Sequence, residues 1–196
     1  MTRLKGSCEH GFEVFRDRYK PHIRPQGMIA RTHTALQLGG EFARRFTLIR
    51  RQVREQIQTW PERIGLFLLS DPTVGDRIGE DEISLLRRLA DAHLESLMNA
   101  RFDEAYFSTL EDNALFYLFL AVPHATVLGA IKDANMRSIE ALYDSHAPAH
   151  KRMALMTMVD LLMLEMNQTQ RVFILYDQIR AGESGADHLA DVVGGS

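Results

Sequence analysis

Two features of the sequence predict an all-α protein of about seven or eight helices. From Gly40 onward, apolar residues recur at three- and four-residue steps, which is the period of an amphipathic helix. No segment alternates apolar and polar residues in the two-residue period of a half-buried strand. The chain has 196 residues, of which 45% are hydrophobic and 25% charged, so it is long and apolar enough to form one globular core.

The chain divides into three parts. Residues 1–39 are predicted to form an irregular or helical lead-in, because Pro21, Pro25 and Gly27 interrupt any regular pattern there. Within the lead-in, the apolar residues between Phe12 and Tyr19 could form a short helix that packs on the body of the protein. Residues 40–180 are predicted to form the domain, and residues 181–196 a flexible C-terminal tail.

Six helices are predicted within the domain, and the first begins near Gly40. The second starts at Pro61, which suits a first helical turn because that turn does not use its N–H groups. The third starts near Glu80, where a run of acidic residues suits the positive end of the helix dipole. A break at 99–102 precedes the fourth helix, over 103–118. The fifth and sixth helices open at prolines and extend over about 123–143 and 148–180.

The last predicted helix is unusually apolar. Between Met153 and Met166 only Thr157, Asp160 and Glu165 are polar. A helix that is apolar on nearly all sides is buried on more than one side. One side faces the domain's own core, and the other is expected to face a second copy of the chain in a helical-bundle homodimer through residues 124–143 and 149–180. The alternative is a central helix within a monomer.

Composition excludes several classes of function. A net charge of −3 provides no electrostatic footprint for nucleic acid. No apolar run is long enough to span a membrane, and the N-terminus lacks the apolar core of a secretory signal. Cys8 is the one cysteine, so no disulfide framework is expected. We therefore expect a cytoplasmic protein with no nucleic-acid or membrane partner.

The sequence gives little support for an enzyme or a metal site. It has no phosphate-binding glycine loop, no nucleophile elbow and no paired acid–base motif. His146 and His150 have the four-residue spacing of two ligands on one helix face, but Pro148 between them indicates a helix start. We expect no catalytic residues and no metal site.

Four segments, taken in order, are similar to the sensor-globin family of bacterial signalling proteins, which includes the globin-coupled sensors and protoglobins. The stretch 89–106 ends in Phe102-Asp-Glu-Ala-Tyr106, which resembles the family's Phe/Tyr-Asp-x-x-Tyr pattern. Ala121-Val-Pro-His124 resembles its Gly-Leu-Pro stretch, Ile64-Gly-Leu-Phe-Leu-Leu-Ser-Asp-Pro72 an upstream element, and Met158-Val-Asp160 the final helix. The resemblance covers roughly residues 40–180 and implies a globin-like fold whose last two helices form the dimer bundle.

Members of this family hold haem between a proximal histidine and a distal aromatic residue, usually tyrosine. Counting forward from Tyr106 and back from Pro123 places the proximal position at Tyr117 in both cases. Counting back from Pro72 places the distal tyrosine at Gly65. Both iron-facing positions therefore depart from the family's pattern, which puts oxygen binding at a haem in doubt.

The candidate pocket residues follow from this resemblance. They are Tyr117, His93, His124, Gly65, Phe67 and Phe116. Under the haem alternative, iron would be bound through Tyr117 as a phenolate or through His124 or His93. Otherwise Tyr117 is a core aromatic residue with a hydrogen-bonded hydroxyl, His93 a satisfied core histidine and His124 a residue of the early helix. Aromatic side chains, Phe119 among them, would then fill the pocket, or the pocket would hold an apolar small molecule.

The leading hypothesis is a sensor-globin-like signal-input or regulatory domain that is free of haem or has a remodelled pocket. It would signal through its dimer helices to a downstream partner. The alternative is a haem-based sensor of a gas (O2, NO or CO) or of redox state with non-standard axial ligands. A phycobilin-type protein would need a cysteine in the pocket, and Cys8 lies in the lead-in.

Overall fold

The computed structural model describes residues 7–23, 40–144 and 151–194, and these residues form helices and turns without any strand. Seven α-helices follow one another along these ranges: α1 (Ser7–Ile23), α2 (Gly40–Gln58), α3 (Trp60–Ser70), α4 (Glu80–Met98), α5 (Glu104–Phe119), α6 (His124–Asp144) and α7 (Lys151–Gly194). A 3-10 turn, Gly75–Arg77, lies between α3 and α4. The all-α prediction is confirmed.

Aspartate side chains make hydrogen bonds at two of the helix ends. Asp103 precedes α5, and its carboxylate accepts hydrogen bonds from the backbone N–H groups of Ala105 and Tyr106 at 3.1 and 3.3 Å. Asp71 follows α3 and accepts from the Thr126 hydroxyl at 2.7 Å, which ties the end of α3 to the start of α6. The pKa of Asp71 is lowered, chiefly because Thr73 and Thr126 donate hydrogen bonds to its carboxylate.

The connection between α4 and α5 is a tight turn without glycine. Ala100 and Phe102 both have positive φ, at 56° and 48°, a conformation that costs energy for residues with a side chain. Phe102 is 1% exposed, and its ring packs edge-on against Phe42 at 4.7 Å between centroids. Burial of the Phe102 ring stabilises the turn, and the turn reverses the chain so that α5 packs against α4.

The core consists of two apolar clusters. The first joins α1 to the middle of the domain through Phe12, Leu115 and Phe116, among others. The second lies beneath α2 and includes Phe46, Leu97 and Leu161. The longest helix, α7, packs against α6 and contributes residues to both clusters.

Two helices extend further along the chain than the sequence indicated. The lead-in contains a helix of 17 residues that continues through Pro21 and ends two residues after it. The helix predicted to end near Arg180 continues to Gly194, since no proline stops it. Pro25, Gly27 and Pro148 lie outside the described residues. None of the described helices combines the length and apolar composition needed to cross a membrane.

Candidate functional site

A buried histidine–glutamate pair connects α4 to α7. His93 Nε2 lies 3.0 Å from Glu165 Oε1, and His93 Nδ1 lies 3.1 Å from the Thr109 hydroxyl of α5. The side chains of His93 and Glu165 are only 8% and 6% exposed. The Tyr106 hydroxyl donates to the same Glu165 oxygen at 3.4 Å. These four residues, the polar cluster, join three helices inside the core.

The number of protons on the His93–Glu165 pair follows from its neighbours. The Thr109 hydroxyl donates its one hydrogen to the backbone carbonyl of Tyr106 at 2.8 Å. It can therefore only accept from His93, so Nδ1 carries a hydrogen. The contact between Nε2 and the carboxyl group needs one more hydrogen, held by either partner. In both arrangements the pair has no net charge, which is the state that burial favours.

Two buried tyrosines beside the pair keep their hydroxyl protons. Burial, and then the charge of Glu165 and the hydrogen bond to it, raise the pKa of Tyr106 well above its ordinary value. Burial and then the charge of Glu165 also raise the pKa of Tyr117. Both tyrosines are therefore neutral hydrogen-bond donors at physiological pH.

A small cavity lies between five helices next to the polar cluster. Its volume is about 30 Å³, which is room for about two or three atoms of the size of a water oxygen. Its polar lining consists of His93, Asn113, Tyr117, Glu165 and Thr169, and its apolar lining of Trp60, Pro61, Ile64, Ala90, Leu94, Leu110 and Ile131. Ile64 is half-buried and the other lining residues are buried, so the cavity comes nearest to the surface at α3.

Asn113 lines this cavity and carries a buried acceptor that has no partner among the described residues. Its amide nitrogen donates to the backbone carbonyls of Leu89 and Thr109, at 3.3 and 2.9 Å. Rotating the amide would set its oxygen against those two carbonyls, so the assignment of oxygen and nitrogen is fixed. Asn113 Oδ1 is buried and has no hydrogen-bond partner among the described residues. Such an acceptor costs about 1–3 kcal/mol unless a partner satisfies it.

Of the six predicted pocket residues, the structure brings two together. Tyr117 and His93 line the same cavity. Gly65 lies in a separate groove between α3 and α4, and a Cβ atom added there would meet nothing within 4 Å.

The other three predicted residues do not line the cavity; Phe116 is buried, and Phe67 and His124 are half-buried. Phe67 contacts Gly129 of α6, and the ring of Phe116 packs against Phe12 of α1 at 5.1 Å between centroids. His124 stacks on Phe173 at 4.8 Å between ring centroids. Phe119, a proposed filler of the pocket, packs against Phe12 and Phe15 of α1.

The residues around Tyr117 do not fit a haem. The cavity volume of about 30 Å³ is far below the several hundred Å³ that a ligand of haem's size needs. Burial and the charge of Glu165 raise the pKa of Tyr117, which disfavours the phenolate form that would bind iron. Both ring nitrogens of His93 already have partners, at Thr109 and Glu165.

The two acids within the apolar part of α7 have different surroundings. Asp160 has an arginine partner, since Arg45 Nη2 donates to it at 2.8 Å. Its side chain, however, is 45% exposed. Glu165 is the buried acid that pairs with His93. Asn113 and Trp60 were not identified from the sequence. The position of a polar or aromatic residue in a helical pattern does not show whether its side chain lines a cavity.

The outer face of α7 is an uncharged stripe that no described helix covers. It consists of Met156, Val159, Met163, Asn167, Gln170 and Ile174, all exposed. Their steps of three and four residues place them on one side of the helix. The four apolar members are each about half exposed, between 46% and 51%. On α6, Met136 and Tyr143 are also exposed and share one side, and Lys151 at the start of α7 lies 4.2 Å from the Tyr143 ring.

The structure gives no indication of a bound metal within the described ranges. No three or more histidine, cysteine, aspartate or glutamate side chains there come together as a group that could hold an ion. His146 and His150 lie outside the described residues.

Comparison with models of protein families, with curated proteins and with solved structures gives no match to this chain. The resemblance to sensor globins therefore rests on the sequence motifs alone.

Proposed function

We propose that this chain is a sensor-globin-like signal-input domain that acts without haem and signals through a homodimer formed by α6 and α7. The observation that carries the proposal is the position of Glu165. This residue lines the cavity and bonds His93 on one side of α7, while Met163 and Asn167, two residues before and after it, belong to the exposed outer face. A change at the cavity would therefore act on the same helix that meets the partner copy.

The composition of the outer face supports a second copy as the partner. An exposed apolar stripe on a helix marks an interaction surface. A surface without charge can meet an identical surface across a two-fold axis, because no like charges are brought together. Asn167 and Gln170 lie near its middle, and polar residues at such positions in helical bundles fix the register of pairing.

We leave haem out of the proposed function because the residues at the site do not fit it. The cavity is too small for the macrocycle, the neutral Tyr117 is not a phenolate, and both ring nitrogens of His93 are engaged. A domain of this kind would respond to occupation of the cavity or to the state of the buried pair. A downstream protein would be the recipient of the signal.

The dimer is tested by placing a charge on the outer face. The Met163→Glu substitution is expected to raise the dimer dissociation constant by about 100-fold or more, because an unpaired charge buried in an interface costs several kcal/mol. Sedimentation equilibrium of the purified chain measures this constant. The matched control is Leu66→Glu on α3, which is 61% exposed and lies on another helix.

The control is expected to sediment as the unchanged protein does. If the unchanged chain is a monomer at all concentrations, or if both variants shift the constant equally, the outer face of α7 is not the dimer interface.

A further inference from the structure

The cavity beside the polar cluster has a fixed acceptor and a fixed donor on one helix. Asn113 and Tyr117 are four residues apart on α5 and therefore lie on the same face of that helix. Both amide hydrogens of Asn113 are used by backbone carbonyls, so its oxygen can only accept. The Tyr117 hydroxyl is neutral, and it has no hydrogen bond with any residue that the structure describes.

The other residues that line the cavity determine which charge and size of ligand it can accept. An anion would lie against the carboxyl group of Glu165, which lines the same cavity. A cation would find no free carboxylate, because Glu165 is already paired with His93. The rest of the lining is apolar, and the volume of about 30 Å³ admits a hydroxyl group with one or two carbon atoms.

We propose that this cavity binds the hydroxyl group of a small neutral alcohol, which donates to Asn113 Oδ1 and accepts from the Tyr117 hydroxyl. Ile64, the one half-buried lining residue, marks the side from which the alcohol enters. This inference deepens the proposed function, since it names the chemical class to which the cavity responds. Water carries the same hydroxyl chemistry, and the experiment separates the two.

The test is a titration of the full-length, ¹⁵N-labelled chain with ethanol, followed by NMR. The reporters are the side-chain amide of Asn113 and the indole N–H of Trp60, which lines the cavity and is the single tryptophan of the sequence. We expect both signals to shift along a saturating curve. Acetonitrile has the same number of heavy atoms but no hydroxyl, and it is expected to bind at least 10-fold more weakly.

Two variants make the result specific. Asn113→Leu removes the acceptor and is expected to abolish the preference for ethanol over acetonitrile. The matched control is Asn135→Leu, which changes another buried asparagine whose amide donates to a backbone carbonyl but which lies outside the cavity. If Asn113→Leu does not fold, Tyr117→Phe tests the same preference from the donor side.

Shifts that grow linearly with ethanol would mean that the cavity takes only water, and this would overturn the proposal. Equal affinities for ethanol and acetonitrile would overturn it as well. The titration is repeated on Met163→Glu to separate it from the dimer. Saturable binding to that variant upholds the alcohol site even if signalling through the dimer fails.

Discussion

His93→Leu is expected to lower the free energy of unfolding by about 3–5 kcal/mol, the largest loss we expect from one polar substitution. The change removes the partner of Glu165 and leaves a buried carboxyl group with only the 3.4 Å hydrogen bond from Tyr106. Glu165→Leu is expected to cost a similar amount, because it leaves a buried imidazole without its acceptor. Urea unfolding followed by circular dichroism measures both losses.

The double variant His93→Leu/Glu165→Leu separates a paired role from simple packing. Replacing both members of a buried pair by apolar residues removes the need to desolvate either of them, so most of the lost stability is expected to return. The control is Arg18→Ala, which removes an exposed ion pair with Glu183 and is expected to leave the stability nearly unchanged. Additive losses in the double variant would contradict the assignment of a buried, net-neutral pair.

Phe12→Ala is expected to lower the free energy of unfolding by about 3–5 kcal/mol. Phe12 is 2% exposed, and its ring packs against those of Phe116 and Phe119 on α5, at 5.1 and 5.9 Å between centroids. Removing the ring leaves a cavity between α1 and the rest of the core. The same urea experiment measures the loss.

Val14→Ala is the matched control for α1, because Val14 lies on the same helix and is 58% exposed. We expect it to change the stability by less than about 0.5 kcal/mol. If Phe12→Ala lowered the free energy of unfolding as little as Val14→Ala does, the packing of α1 would not stabilise the first apolar cluster.

The helices of the domain were predictable because their signals are local. Pro61, the acidic run at Glu80 and the break at 99–102 each mark a helix end without reference to the rest of the fold. The helix of the lead-in was less predictable. Its stability comes from contacts with distant residues, such as the ring of Phe15 against that of Tyr176 at 5.7 Å. The ion pair between Arg18 and Glu183, at 3.0 Å, is a further contact of this kind.

The candidate site was predictable only in part. His93 and Tyr117 were identified from their positions in the motifs, and the structure places both on one cavity. The residues that contact them could not be predicted, because those contacts depend on how α4, α5 and α7 pack in space. A local sequence pattern does not contain that information. Glu165 did carry a signal, since it is an acid within an apolar run. Asp160 carries the same signal on the same helix and lies on a more exposed side.

We propose that the buried pair on one side of α7 is coupled to the proposed dimer interface on the other side. The measurement that tests it most directly is the dimer dissociation constant of Glu165→Gln, determined by sedimentation equilibrium. Glutamine keeps the shape of the side chain but removes the carboxyl group that balances His93. The control is Thr157→Val, which changes a fully buried residue of α7 whose hydroxyl donates to the backbone carbonyl of Met153 in the same helix.

We predict that Glu165→Gln weakens the dimer by about 10-fold, equivalent to about 1.4 kcal/mol, while Thr157→Val leaves it unchanged. Dimers of equal affinity in the two variants and the unchanged protein would contradict the coupling between the cavity and the interface.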